Sequence, residues 1–512
     1  MTEDLVALAG AAVRDSRAQA DPDLPAYHVV PPVGRLNDPN GLLVDGDTYH
    51  AFYQFSPLHP RKLVYWGHAS STDLATWTHH EPAIVPSSRY DRNGAYSGSG
   101  LVLEPGELPA DPPITGPYVL SYTGNVKDEV TGEREATKCL VTSSDLVTFT
   151  KYPGNPVIAH QPEGYTAHFR DPQVWRDRDD PAGSFRMLLG AQREDLTGAA
   201  LFYRSEDLLT WTYEGELTFP DAGGAFDAFG YMWECPALLR VPDEGTGRVH
   251  DVLVWCPQGI EPETEGYETV FPCVYTIGHL VGTELRGCQG TFAEVDRGFE
   301  FYAPQVFARR ASEPGPVLMT GWAGNAGEDD QPSIASGGWV HTLTVPRALS
   351  VRDGRLVQRP VLRADGEGSS ALDAATLARL AAAGGGEVVL PGLAGSRSWQ
   401  LALEVVEGAP RGGLRIGSED CHVDVRLVGD TLVVDRSTSR YTQHGTVRTV
   451  TLPAGAALRL EVLHDRSVTE IVLGDGDLAL TLRSFVEVGS SGVRVLADGP
   501  LTVVDGRVLR RD

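Results

Sequence analysis

Leu36-Asn37-Asp38-Pro39-Asn40-Gly41, running on into Leu42-Leu43-Val44, is one of five similar segments in this chain. The others are Tyr96-Ser97-Gly98-Ser99, Phe169-Arg170-Asp171-Pro172-Gln173, Trp233-Glu234-Cys235-Pro236 and Tyr302-Ala303-Pro304-Gln305, each leading into apolar residues. Each reads as a strand that ends in the same way. As equivalent strands of a repeating β architecture, they bring Asp38, Asp171 and Glu234 to one axis. Carboxylates meeting on a rigid β scaffold are what cleavage of a glycosidic bond requires.

A second repeat lies in phase with the first. Runs rich in aromatic and β-branched residues begin at Tyr49, Tyr118, Phe185, Val252 and Val317, which are 69, 67, 67 and 65 residues apart. A third repeat marks three of the units: Ser71-Thr72-Asp73-Leu74 closing with Trp77, Ser144-Asp145-Leu146 closing with Phe149, and Glu206-Asp207-Leu208 closing with Trp211. Self-similarity at a fixed period with several strands per period predicts a β-propeller, and five periods predict five blades. The fold class expected is all-β, a five-bladed β-propeller followed by a C-terminal β-sandwich.

The sandwich expectation comes from the last quarter of the chain. After Glu387 the blade period is lost and alternating strands follow at short spacing: Trp399–Val405, Leu432–Val434, Leu458–Val462 and Val468–Leu473. The domains read as a helical N-terminal extension over 1–25 (its surface helix over 3–19), a propeller over 26–350, a linker over 351–370 and a sandwich over 371–512. The sandwich opens with a helix from Ser370 to Ala383 that Gly384-Gly385-Gly386 ends.

With 512 residues, 43 Lys+Arg against 69 Asp+Glu and a net charge of −26, the chain repels nucleic acid and anionic membrane surfaces. No apolar run reaches the ~18 residues of a membrane span. The acidic start, Met1-Thr2-Glu3-Asp4-Leu5, does not resemble a secretory signal, so the expected location is cytoplasmic; a chain whose signal has been removed is the competing reading. The six cysteines show neither C-x-x-C pairing nor metal-finger spacing, and no phosphate-binding glycine loop occurs. We therefore expect free thiols, no metal and no cofactor. The exposed face of the sandwich is a candidate homo-oligomer surface.

The motifs Asn37-Asp38-Pro39-Asn40-Gly41, Arg170-Asp171-Pro172 and Glu234-Cys235 resemble the three signature segments of glycoside hydrolase family 32. Phe52-Tyr53-Gln54, Trp66-Gly67-His68, Ser97-Gly98-Ser99, Phe301–Gln305, Gly321–Asn325 and Leu343–Arg347 match in the family order over residues 28–350. Two departures are Tyr96, where Phe is common, and Arg61-Lys62-Leu63-Val64-Tyr65 ahead of Trp66, where a more neutral segment is usual. The resemblance implies a propeller followed by a sandwich and a retaining mechanism on β-fructofuranosides. It implies Asp38 as nucleophile, Glu234 as acid/base and Asp171 as transition-state stabiliser, with Asn37, Gln54, Trp66, Ser97, Arg170 and Trp322 binding the sugar.

A retaining enzyme needs one ionised and one protonated carboxyl about 5–5.5 Å apart. Glu234 is expected to keep its proton through desolvation beside Trp233 and through negative neighbours. Each residue also has a plain structural alternative: Asp38 as a turn Asp before proline, Glu234 as a paired strand carboxylate, Arg170 as an ion-pair partner of Asp171, and either tryptophan as core. The expected substrates are sucrose and short fructo-oligosaccharides. The alternatives are a hydrolase of phosphorylated sucrose, with Arg61, Lys62, Arg89 and Arg92 as phosphate contacts; a fructosyltransferase; and a silent sugar-binding propeller.

Overall fold

In a computed structural model of the chain, the residues described are 4–107, 114–128, 130–180, 182–260, 271–326, 331–382, 386–393, 395–405, 411–452, 458–487, 493–497 and 503–511. The protein is all-β, with short helices at Leu5–Arg14 and Ala374–Ala382.

Residues 34–360 form five successive antiparallel sheets. Their first strands are Gly34–Asp45, Ala95–Val102, Tyr165–Arg176, Met232–Pro242 and Tyr302–Val306. Their second strands are Thr48–Ser56, Tyr118–Lys127, Phe185–Arg193, Val249–Gln258 and Val317–Ala323, the five elements of the 65–69-residue period. The first strands lie side by side in chain order, and the fifth returns to the first. Trp339–Val340 then pairs in parallel with Gly34-Arg35, tying the end of the series to its beginning.

The five quoted segments lie inside these first strands and do not end them. In every one, the pairing with the second strand slips by one residue across the segment: between Leu36 and Pro39, Tyr96 and Gly98, Arg170 and Gln173, Glu234 and Ala237, and Tyr302 and Gln305. Each is a β-bulge, whose extra residue is left out of the ladder and redirected. Asp171, Cys235 and Ala303 occupy that position at φ 64, 48 and 46°. Proline follows at 172, 236 and 304, where its missing N–H costs no ladder bond.

The third repeat is a turn after the third strand. The hydroxyls of Ser71 and Ser143 accept the N–H of Leu74 and Leu146, both at 2.8 Å. The carboxylates of Asp73, Asp145 and Asp207 accept the two N–H groups that follow the turn leucine. That leucine is left-handed each time, at φ 60, 55 and 66° for Leu74, Leu146 and Leu208, and its side chain is buried.

Residues 370–510 form two six-stranded antiparallel sheets. They share one apolar core, with Trp399, Leu401 and Ile471 from one sheet meeting Leu414, Val423 and Val434 from the other. The four C-terminal strands expected from the sequence are all present.

Three boundaries differ from expectation. Arg347–Arg352 and Arg355–Pro360 form a hairpin that completes the fifth sheet, so the first ten residues of the expected linker are mostly strand. The N-terminal helix stops at Arg14; Asp4 caps its start by accepting the Ala7 N–H, and Glu3 lies outside the described residues. The second helix begins at Ala374 because Asp373 accepts the Thr376 N–H at 2.6 Å, an N-cap that leaves Ser370–Ala371 to pair as strand. Its predicted end at Ala383 and the glycines at 384 and 385 lie outside the described residues, while Gly386 opens a strand.

Gly41 shows how tightly the first strands pack. At φ +52°, a Cβ there would stand 2.8 Å from Trp66 Cζ3 and 2.9 Å from Leu120 Cδ2. Gly41→Ala is expected to destabilise the fold by about 1–3 kcal/mol, read as a lower urea midpoint. An unchanged midpoint would show that the ring and strand can part without cost.

Candidate active site

The bulges aim their side chains at a common centre. Asp38 receives three neutral donors: Ser97 Oγ at 2.5 Å and Gln54 Nε2 at 3.2 Å, both on Oδ2, and Asn37 Nδ2 at 3.1 Å on Oδ1. Asn37 Nδ2 also donates to Gln54 Oε1 at 2.8 Å, which fixes the orientation of both amides. Ser97 has no exposed surface and Gln54 is buried. Burial raises the Asp38 pKa and the nearby Glu234 charge adds to that, while the Ser97 hydrogen bond opposes it.

Asp171 is held at both its backbone and its carboxylate. Its N–H donates to Thr123 Oγ1 at 3.0 Å, and its Oδ2 accepts the Cys235 N–H at 3.1 Å. Burial lifts this carboxyl to about 7, with Arg170 pulling it down and Glu234 and Asp38 pushing it up. Arg170 Nε stands 3.8 Å from Asp171 Oδ2.

Glu234 is the last ladder residue before its bulge, as Arg170 and Tyr302 are before theirs. Arg170 donates to its Oε1 through Nη2 at 2.7 Å and Nε at 3.2 Å, and the Tyr302 hydroxyl donates to Oε2 at 2.6 Å. Trp233 points elsewhere, its indole N–H on the Phe229 carbonyl at 2.6 Å. The expected desolvation of Glu234 by Trp233 is therefore corrected: the groups that reach the carboxylate are Arg170 and Tyr302. Arg170 is itself steadied by His168 Nδ1, which accepts its Nη1–H at 3.0 Å. Burial and the cations of Arg170 and Arg134 push His168 down to about 4, which keeps it a neutral acceptor.

Cys235 joins the three acids. Its N–H meets Asp171, its Sγ lies 3.9 Å from Asp38 Oδ2, and Glu234 precedes it in the chain. Burial, with the acids beside it, holds the thiol far above its ordinary pKa, so it stays protonated.

Asn37, Asp38, Gln54, Ser97, Arg170, Asp171 and Glu234 are thus brought together as expected, and two aromatic residues are not. Trp66 has no exposed surface; it packs between Phe52 and Tyr122 with its indole N–H on the Tyr96 carbonyl at 3.2 Å. It supports the bulge from behind, because Gly41 leaves room for its ring. Trp322 is 2% exposed, edge-on to Tyr302 at 6.1 Å and under the Arg35 guanidinium at 5.5 Å, so it backs Tyr302 and offers no free face. The sequence reading gave no role to Tyr302, Thr123, His168 or Lys138. Tyr302 was within reach, since it occupies in the fifth segment the place Glu234 occupies in the fourth.

All six cysteines are free and buried. Among the described residues no group of three or more His, Cys, Asp or Glu could hold a metal ion, and no helix is long and apolar enough to cross a membrane. Arg61, Lys62, Arg89 and Arg92 are exposed.

Comparison with known proteins gives the frame for this site. Residues 28–360 match the glycosyl hydrolases family 32 N-terminal domain, and residues 373–508 match the family's C-terminal domain. A sucrose-6-phosphate hydrolase of Klebsiella pneumoniae is 36% identical over 486 residues, covering 92% of this chain and 90% of that one. The solved structure of a sucrose-6-phosphate hydrolase from Lactobacillus gasseri is similar with a TM-score of 0.81 and 28% identity, over 98% of this chain and 96% of the other. A Bombyx mori GH32 beta-fructofuranosidase is similar with a TM-score of 0.77 and 27% identity, over 100% of this chain and 99% of the other. The chain belongs to glycosyl hydrolases family 32 and is a glycoside hydrolase.

Proposed function

We propose that the protein is a retaining β-fructofuranosidase that hydrolyses the terminal non-reducing β-D-fructofuranoside of sucrose and short fructo-oligosaccharides. The observation that carries this reading is the meeting of three acids around Cys235, each with a different set of hydrogen-bond partners. Asp38, held by neutral donors, attacks the anomeric carbon. Glu234 protonates the leaving oxygen and then takes a proton from the water that releases fructose. Asp171 binds sugar hydroxyls and balances the oxocarbenium-like charge. Arg170 orients Glu234 and Asp171; Asn37, Gln54 and Ser97 set the attacking oxygen.

On this reading the five sheets are the blades of a propeller, and the two six-stranded sheets are a sandwich that braces it. The continuous ring of first strands and the shared C-terminal core support the assignment. Free buried thiols agree with a cytoplasmic setting.

Sucrose 6-phosphate is the second reading. It is favoured by the names of similar proteins and by the exposed cations Arg61, Lys62, Arg89 and Arg92 in a chain of net charge −26. Initial rates on the two substrates decide between them. The first reading expects kcat/KM for sucrose to equal or exceed that for the phosphate. A ratio of 10-fold or more toward the phosphate, lost in a Lys62→Glu/Arg92→Glu variant, would establish the second. Glucose released in excess of fructose would mark a transferase.

A further inference from the structure

Lys138 is a lysine with no exposed surface, on the strand Arg134–Ser143 of the second sheet. Burying an ammonium is costly unless it is paired. Among the described residues Lys138 meets no carboxylate within ion-pair distance. Its Nζ donates to the Phe169 carbonyl at 2.9 Å and the Ala136 carbonyl at 3.3 Å, and lies 3.9 Å from the centre of the Phe169 ring.

Phe169 is the residue before Arg170 and Asp171. The cross-strand partner of Lys138 is Thr123, whose hydroxyl accepts the Asp171 N–H at 3.0 Å. One pair of neighbours in the second sheet therefore grips the third sheet's bulge at both ends, at the carbonyl before Arg170 and at the N–H of Asp171. The titratable groups facing Lys138 are the Cys139 thiol, which burial keeps protonated, Asp171 and Arg170. Of these, Asp171 is the anion whose charge an adjacent ammonium favours.

We propose that Lys138 is a positioning residue of the hydrolytic site, fixing the Arg170-Asp171 bulge and supporting the ionised form of Asp171 from behind. Burial lowers its own pKa to about 7, against the pull of Asp171, so its charge is present where the acidic side of the pH–rate profile falls. The inference rests on the role proposed for Asp171.

The test is the pH dependence of kcat/KM for sucrose in wild type, Lys138→Gln, Lys138→Met and Asp171→Asn, each checked for folding by near-UV circular dichroism. Loss of the cation makes Asp171 harder to ionise, so the acid limb moves to higher pH. We expect a shift of about 0.5 unit or more in both Lys138 variants. Met also removes the donor to Phe169, and its kcat falls about 10-fold further than that of Gln. A purely structural lysine would lower stability and leave the limb in place. An acid limb coincident with wild type in Lys138→Gln overturns the inference, as does failure of both Lys138 variants to fold. Wild-type activity in Asp171→Asn overturns the proposed role of Asp171 instead.

Discussion

Asp38→Ala is expected to lower kcat on sucrose by on the order of 10⁴-fold or more, because no other group on the site can form the covalent intermediate. Its three donors are neutral and buried or half-buried, and its neighbour Cys235 is held protonated, so no nucleophile stands in reserve. Glu234→Ala is expected to lose about 10²–10⁴-fold, the range of one acid/base group. The two losses differ in kind. With Glu234 gone the covalent intermediate still forms from a substrate with a good leaving group, and azide rescues turnover to give a fructosyl azide of retained configuration. With Asp38 gone, an azide product can arise only with inversion. Equal release of glucose and fructose by wild type, with both variants silent, fits hydrolysis. Retention of more than about a hundredth of wild-type kcat by Asp38→Ala would remove it as the nucleophile.

The period that placed these residues was legible in the chain because each sheet repeats the same burial demands at the same spacing. The bulges were not legible in the same way. Asp38-Pro39, Asp171-Pro172, Cys235-Pro236 and Ala303-Pro304 look like strand stops, since proline cannot donate to a ladder. In the fold, the proline follows the extra residue of a bulge and the strand continues past it, to Asp45, Arg176, Pro242 and Val306. Aligned on that proline, Glu234 falls beside Arg170 and Tyr302, and Cys235 beside Asp38 and Asp171. The shared proline was therefore the signal for the true register, and it also explains why Tyr302 reaches the acid. Trp66 and Trp322 were misplaced for a different reason. An aromatic ring near a site motif has the same composition whether it faces the sugar or fills the gap behind a glycine, and only packing tells the two apart. Lys138 was invisible because a strand lysine normally points to water.

Arg347→Met is expected to destabilise the protein by about 3–5 kcal/mol, because it leaves Asp296 buried without its cation and Glu470 with His28 alone. Arg347 has no exposed side-chain surface. It donates to Asp296 Oδ2 at 2.9 Å, to Glu470 Oε2 at 2.7 Å and to Thr481 Oγ1 at 2.7 Å, so one guanidinium from the fifth sheet pins two strands of the C-terminal unit. Glu470 Oε1 accepts the Val345 N–H at 2.7 Å and lies 3.1 Å from His28 Nε2, while His28 Nδ1 lies 2.8 Å from Asp465 Oδ2. The segment carrying His28, which follows the extension expected over 1–25, is thereby locked between the two units. Restoring balance by removing both charges, in Arg347→Met/Glu470→Gln/Asp296→Asn, should recover much of the loss, since the penalty belongs to the acids left without Arg347. The pH dependence has a definite sign. Burial alone would lower the His28 pKa, but its bonds to Asp465 and Glu470 outweigh that and lift it to about 9. Its contribution is thus complete below about 6.5 and disappears as pH rises through about 9. Asp465 and Glu470, held low by His28 and Arg347 despite burial, lose theirs as pH falls through the acid range. Thermal midpoints should therefore decline between pH 7 and 9.5 in wild type and flatten over that window in His28→Asn. A wild-type midpoint independent of pH there, or an Arg347→Met midpoint within about 2 °C of wild type, would show that hydrogen bonds to backbone and hydroxyls hold the junction without the charges.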